Sequence, residues 1–282
     1  MGKRKVAIQG VEGCFHEEAA REYFCSEDIV TIPCETFGEM GEILASNPEI
    51  TGIMAIENTI AGSLLPNHQI IDRHNLRIIG EHKKRISHVL ATLPGEKIED
   101  IFEVDSHPMA LMQCEEFLSR HPAMKMIEKF DTAGSAREIA EFKLKGHAAI
   151  CGRLAADLYG LDILEEGIET NKRNFTRFLI ITGTQEPEDS QAIPDKSSIV
   201  FTLPHTQGAL SKILTILAFY DLNLTRIQSL PIIGQEWEYK FYVDLTFVDP
   251  VRYRQALEAV KPLTNNFRVL GEYCETRNFK ET

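Results

Sequence analysis

Positive charge is in short supply. Thirty lysines and arginines stand against 42 aspartates and glutamates, a formal net charge of −12. Binding to a phosphate backbone needs a basic face, so nucleic acid is excluded as a partner. Any anionic substrate must instead find a locally positive pocket on an acidic molecule. Long apolar runs are also missing: no window approaches the roughly 18 consecutive apolar residues of a membrane span, and no membrane association is expected. The opening "MGKRKVAIQG" is basic, but its "VAI" is too short for a secretory apolar region and Gly2 lacks a myristoylation context. The cytoplasm is the expected location. The six cysteines (Cys14, Cys25, Cys34, Cys114, Cys151 and Cys274) show neither CxxC nor metal-ligand spacing, which reads as reduced thiols. Among the nine histidines there is no HExxH; His16, His68, His82, His88 and His107 read as surface or cap residues. No repeat and no low-complexity tract interrupts the chain.

What is present belongs to an ordinary globular protein, with 43% hydrophobic and 26% charged residues. At 282 residues two domains are expected. The stretch "GTQEPEDSQAIPDKS", Gly183 to Ser197, breaks the apolar pattern and reads as a linker. It divides a region over 1–184 from one over 197–275. In the first, short apolar strands such as "KVAIQG", "TGIMAIEN" and "HAAICG" alternate with helical periods. That order implies an α/β fold with a largely parallel sheet, whose ligands sit beyond the carboxyl ends of the strands. In the second, the order strand, helix, strand, strand, helix, strand is the ferredoxin-like βαββαβ arrangement.

Four segments of the first region share one design, an apolar strand, a short polar turn and a helix start: "AIQGVEGCFHEEAA", "MAIENTIAGSLLPNHQ", "EVDSHPMALMQC" and "FDTAGSAREIA". Unpaired N–H groups at helix starts favour anions, and Gly13, Gly62 and Gly134 permit close backbone approach. Four converging helix starts would supply positive potential without net charge. Asn58, Ser106 and Thr132 read as caps or as ligand contacts. Glu57 reads as an acid, a base or a structural acceptor, and Cys114 as a core residue. The GxxG of "GVEGCF" lacks the third glycine of a dinucleotide fingerprint. In "NFTRFLIITG", Thr176 and Arg177 stand together at the start of a buried strand.

Assembled in order, these segments resemble prephenate dehydratase, which converts prephenate to phenylpyruvate in phenylalanine biosynthesis. "GVEGCFHEEAA" is similar to the family's GPEGTFSEEAA, "AIENTIAGS" to its PIENSxxGS, "SHPMALMQC" to its SHPxxLxQC, "DTAGSA" to its STAxAA and "NFTRF" to its TRF element. The resemblance implies a catalytic region of two α/β lobes like those of periplasmic binding proteins, with the substrate in the cleft. It implies an ACT domain after the linker, a ferredoxin-like module that binds phenylalanine. By motif, Asn58, Ser106, Gln113 and Thr176 fall at catalytic positions, and Arg177, Gly13, Cys14, Glu57, Thr132, Ala133 and Phe178 at substrate-binding ones. Gly208, Ala209, Leu210, Asn223, Gln228 and Ser229 fall at effector positions. A homodimer or homotetramer through the ACT domains is implied. Val11, Cys14 and His16 replace the family's proline, hydroxyl residue and serine, and "QSLP" at Gln228 to Pro231 stands where the family has ESRP.

If prephenate is the substrate, aromatisation drives the loss of carbon dioxide and water, so no cofactor, metal or covalent nucleophile is required. Thr176 is then expected to donate a hydrogen bond to the departing hydroxyl. Arg177 is expected to anchor the pyruvyl carboxylate, because pairing with the ring carboxylate would oppose decarboxylation. Arogenate, the amino counterpart, shares this ring chemistry.

Overall fold

The computed structural model describes residues 3–183, 193–232, 234 and 238–276. The chain opens with β1 (Arg4–Gln9), α1 (Phe15–Tyr23), β2 (Ile29–Cys34), α2 (Phe37–Ser46), β3 (Thr51–Asn58), β4 (Gly62–Ser63), α3 (Leu65–Arg73) and β5 (Arg77–Arg85). It crosses to a second lobe made of β6 (Val89–Thr92), β7 (Glu103–Ser106), α4 (Pro108–Gln113), α5 (Glu115–Ser119), β8 (Lys125–Glu128), α6 (Thr132–Phe142), β9 (His147–Cys151), α7 (Arg153–Leu158) and β10 (Asp162–Glu166). It then returns to the first lobe as β11 (Phe175–Thr182), which inserts between β3 and β5.

The two sheets run β2-β1-β3-β11-β5, with β4 on β3, and β10-β6-β9-β7-β8. Neither is largely parallel, contrary to the expectation from strand and helix alternation. β1 is parallel to β2 and β3, but the returning β11 is antiparallel to both its neighbours, and β6 is antiparallel to β9 and β10. A chain that leaves a sheet and comes back through another lobe enters from the opposite end, which reverses the strand. The expected single helix after Pro108 breaks at Cys114, whose φ of −104° and ψ of 18° leave the helical region. Residues 29–46 add β2 and α2, which the pattern reading did not include; Thr36 caps α2 by accepting from Glu39 N at 3.1 Å.

The third unit matches its expected order: β12 (Lys196–Thr202), α8 (Ala209–Phe219), β13 (Asn223–Pro231), β14 (Tyr239–Thr246), α9 (Pro250–Val260) and β15 (Asn265–Tyr273). Its antiparallel sheet runs β13-β14-β12-β15, the ferredoxin-like order. The boundary expected at 183–197 falls mostly on 184–192, outside the described residues. Lys196 and Ser197 already belong to β12 and are buried. One face of this sheet holds α8 and α9 through Ile213, Leu217, Tyr253 and Leu257. The other shares a core with the first lobe, where Val200, Tyr242, Leu270 and Tyr273 pack with Leu76, Ile78, Leu179 and Ile181. Contact is so close that a Cβ on Gly271 would lie 2.0 Å from the Ile78 carbonyl oxygen. No helix among the described residues is long and apolar enough to cross a membrane.

Candidate active site

β3 and β11 pair with Thr176 opposite Asn58 and Arg177 opposite Glu57. Successive strand residues point to opposite faces, so a single step along β11 changes the side of the sheet. Thr176 and Phe178 face the gap between the lobes, and a one-residue bulge in β3, opposite Arg177 and Phe178, lets both Ala55 and Asn58 face it as well. The gap is a cleft of about 410 Å³. Cys14, His16, Phe37 and Leu64 line it from the first lobe; Gln113, Asp131 and Thr132 close it from the second.

A chain of hydrogen bonds fixes the orientation of the amides of Asn58, Asn174 and Gln113. Asn58 Oδ1 accepts from Ile60 N at 2.9 Å and Ala61 N at 2.8 Å, so its nitrogen must point the other way and donate. That nitrogen donates to Asn174 Oδ1 at 2.8 Å and to Thr176 Oγ1 at 3.0 Å. With its oxygen used, Asn174 donates through Nδ2 to Gln113 Oε1 at 2.9 Å. Gln113 Oε1 then also accepts from His88 Nε2 at 2.9 Å, which places that ring's proton on Nε2 and leaves the buried Nδ1 without a partner. Two consequences matter chemically. The Thr176 hydroxyl receives a bond on its oxygen, so its own hydrogen is available to donate into the cleft. The Nε2 amide of Gln113 is likewise left to donate.

Burial pushes the His16 pKa down to about 4 and lowers that of His88, so both rings are neutral near pH 7. Burial also pushes the Cys14 thiol up to about 12. His16 accepts from Ala55 N at 3.4 Å through Nε2, and His107 caps α4 by accepting from Met109 N at 3.1 Å. His16, His88 and His107 all line the cleft; for the buried His16 and His88 this corrects their reading as surface or cap residues, while His107 is the cap it was read as.

The structure therefore brings together Asn58, Gln113, Thr176, Cys14, Thr132 and Phe178. It does not bring Arg177 to them. On the far face of β11 the Arg177 guanidinium donates to Glu81 Oε2 at 2.7 Å, Asp244 Oδ2 at 2.5 Å and the Tyr273 hydroxyl at 3.1 Å. Lys196 adds a bond to Glu81 Oε1 at 3.0 Å, and Ser198 donates to Asp244 Oδ1 at 2.5 Å. These groups form a buried ionic cluster between the first lobe and the β12–β15 sheet. Burial alone would raise the pKa of Glu81, but Arg177 and Lys196 outweigh it and hold the carboxyl below the usual range. Arg177 and Ser198 do the same for Asp244. The expected carboxylate anchor is thus committed elsewhere, because the pleat turns it away from Thr176.

Glu57 shares that far face, with Arg226 Nε 3.8 Å from its carboxylate. Gly13 and Ala133 are buried behind the cleft rather than lining it; the Gly13 N–H donates to Glu17 Oε2 at 2.7 Å. Ser106 caps no helix. It is fully buried, does not line the cleft, and donates to the Ile150 carbonyl at 2.6 Å. Thr132 is the first residue of α6 rather than its cap, which is Asp131. Cys114 is in the core of the second lobe.

At the effector positions, Gly208 (φ 76°) caps α8, and Ala209 and Leu210 line a hollow of about 140 Å³ with Leu203, Tyr239 and Phe241. Asn223 lies at the other end of the same sheet, opposite Thr246, so within one chain it does not meet Gly208. Gln228 points at the first lobe and donates to Ser63 Oγ at 3.2 Å, while Ser229 is exposed. Among the residues of the site missed in the sequence are His88 and Asp131, which line the cleft, and Asn174, buried behind it. A fully buried polar residue just before an apolar strand, as Asn174 is in "NFTRF", was the available signal.

Residues 6–186 match the family model described as prephenate dehydratase. The chain is 36% identical over 290 residues to arogenate dehydratase 2 of Petunia hybrida, covering 95% of this chain and 71% of that protein. Among solved structures, prephenate dehydratase of Arthrobacter aurescens in complex with L-Phe aligns with a TM-score of 0.85 at 29% identity, over 96% of this chain and 90% of that one. A protein described as GqqA, a novel type of quorum quenching acylase, aligns with a TM-score of 0.86 at 28% identity, over 97% and 99%.

Proposed function

Because the chain belongs to the prephenate dehydratase family and is a lyase of phenylalanine biosynthesis, we propose that it decarboxylates and dehydrates prephenate to phenylpyruvate, with arogenate open to the same ring chemistry. The ring carboxylate leaves as carbon dioxide, its bonding electrons enter the ring, and the hydroxyl on the opposite ring carbon departs with its own bonding pair. That hydroxide gains one proton to become water. The single observation that carries this reading is the Thr176 hydroxyl, held in the cleft by Asn58 with its hydrogen free.

In this mechanism Thr176 donates to the departing hydroxyl and stabilises the charge growing there. Its own pKa is too high for full proton transfer near neutrality. Asn58 aligns Thr176 by donating to its oxygen, and Asn174 and His88 lock Gln113 so that its amide can orient the substrate. The first-turn N–H groups of α1, where Cys14, Phe15 and His16 line the cleft, take over the carboxylate binding once expected of Arg177. Phe178, Phe37 and Ala55 offer weakly solvating surface, on which a ring carboxylate more readily loses carbon dioxide. Acyl hydrolysis would need an activated nucleophile; the Cys14 thiol is held neutral, and no histidine bonds Thr176 among the described residues.

Residues 1–184 form the catalytic region and 197–275 an ACT regulatory domain. Phenylalanine binds at the Gly208–Leu210 turn together with the Asn223 end of a second subunit, since one chain holds these at opposite ends of a sheet. That geometry calls for a homodimer or larger. The deciding experiment is incubation of the purified protein with prephenate and identification of phenylpyruvate; with neither prephenate nor arogenate consumed, the assignment falls.

A further inference from the structure

A substrate with two carboxylates meets an unusual charge pattern here. Among the described residues lining the cleft there is no lysine and no arginine, and Asp131 is the one carboxylate. Its Oδ1 is occupied, accepting from Gly134 N at 2.7 Å as the cap of α6. Its Oδ2 accepts no hydrogen bond among the described residues and reaches across to the first lobe, 2.9 Å from where a side chain on Gly10 would begin. Only a glycine at that turn, with φ of 107°, leaves room for the carboxylate to look into the gap. The cleft thus presents a free carboxylate oxygen, an acceptor, beside the dipole donors of the α1 start.

Prephenate and arogenate differ only where the first has a keto group and the second an ammonium on the side chain. The keto group offers acceptors alone and cannot satisfy Asp131 Oδ2; a dianion would also approach it against like charge. An ammonium supplies three donors and a positive charge, and a charge-assisted bond to a carboxylate is about twice as strong as a neutral one. We propose that Asp131 is the specificity-determining residue of this cleft, pairing with the α-ammonium of arogenate and making arogenate the preferred substrate. The proposal rests on the dehydratase reading above and adds to it which substrate the site selects and by which atom.

The structural role of Asp131 can be separated from the charge, because asparagine and serine cap helices as well as aspartate does. The test is kcat/KM with arogenate and with prephenate, measured separately for the wild-type protein, Asp131→Asn and Asp131→Ser, alongside Tm. The expected wild-type preference for arogenate is about tenfold or more, the scale of one charge-assisted bond. In both variants the ratio falls about tenfold or more through a raised KM for arogenate, with Tm nearly unchanged. A wild-type preference for prephenate, or a ratio unmoved in two folded variants, overturns the assignment of Asp131 while leaving the dehydratase reading intact. Turnover of neither substrate by the wild-type protein overturns both.

Discussion

Thr176 and Arg177 are covalent neighbours with opposite surroundings, and substituting each should fail in a different way. In Thr176→Ala the cleft loses one preorganised donor. A loss of about 10²-fold in kcat is expected, about 2.7 kcal/mol of transition-state stabilisation, with KM nearly unchanged. Folding stability should fall by only about 1 kcal/mol, the net worth of the Asn58 bond. In Arg177→Met the cleft is untouched, but the ionic cluster loses its centre. Asp244 keeps only Ser198 of its two side-chain donors described here, and Glu81 keeps Lys196. Removing one partner from a buried pair leaves an uncompensated charge and costs about 3–5 kcal/mol. Urea unfolding should therefore show a large shift for Arg177→Met and a small one for Thr176→Ala, while kinetics in the absence of urea show the reverse. Arg177→Lys, which keeps the charge but not the planar fork, should lie between. An Arg177→Met protein of wild-type stability whose KM rises about 10²-fold would mean that the guanidinium reaches the substrate after all, and the argument from strand alternation would be refuted.

Three further outcomes are expected. Glu81 and Asp244 both have folded pKa values held below their ordinary ones, so their stabilisation is complete above about pH 5 and is lost as pH falls through about 4 and below; Tm measured across that range should drop more steeply than in Glu81→Gln. Gly13→Ala, with φ of 84° and a new Cβ 2.9 Å from the Ala155 Cα, should destabilise the protein by about 1 kcal/mol or more and raise KM, since the two lobes touch there; a neutral result would show the loop can yield. Calorimetry should register heat on adding L-phenylalanine and sedimentation a dimer or larger species, whereas a silent titration would remove the effector role of Gly208 to Leu210.

The third unit was legible because its apolar periods are long and its strands antiparallel, so local pattern and final pairing agree. The first region was legible in its elements but not in its sheet, since nothing local in "FTRFLIIT" tells a strand that it will return reversed between β3 and β5. The same holds for the site. Asn58, Gln113 and Thr176 could be named from motifs, yet the pairing of Arg177 with Asp244 spans a linker and depends on which face of β11 each residue takes. Alternation along a strand is a local rule that would have separated Thr176 from Arg177 in the sequence itself. Which of the two faced the cleft required the fold. Asn174 and His88 stayed hidden for a different reason: their roles come from where Asn58 sends its amide protons, a property of the whole hydrogen-bonded chain.

The close seating of Gly271 on the Ile78 carbonyl has a bearing on how this protein can be divided. A chain ending near residue 184 would leave Leu76, Ile78, Leu179 and Ile181 facing water, and at about 1.5–3 kcal/mol for each such side chain few small proteins could tolerate the loss. The C-terminal portion, expressed separately, would carry the matching bare surface of Val200, Tyr242, Leu270 and Tyr273. Neither half is a free-standing cassette. A lineage that replaced this C-terminal portion would have to rebuild the back of the β2-β1-β3-β11-β5 sheet at the same time.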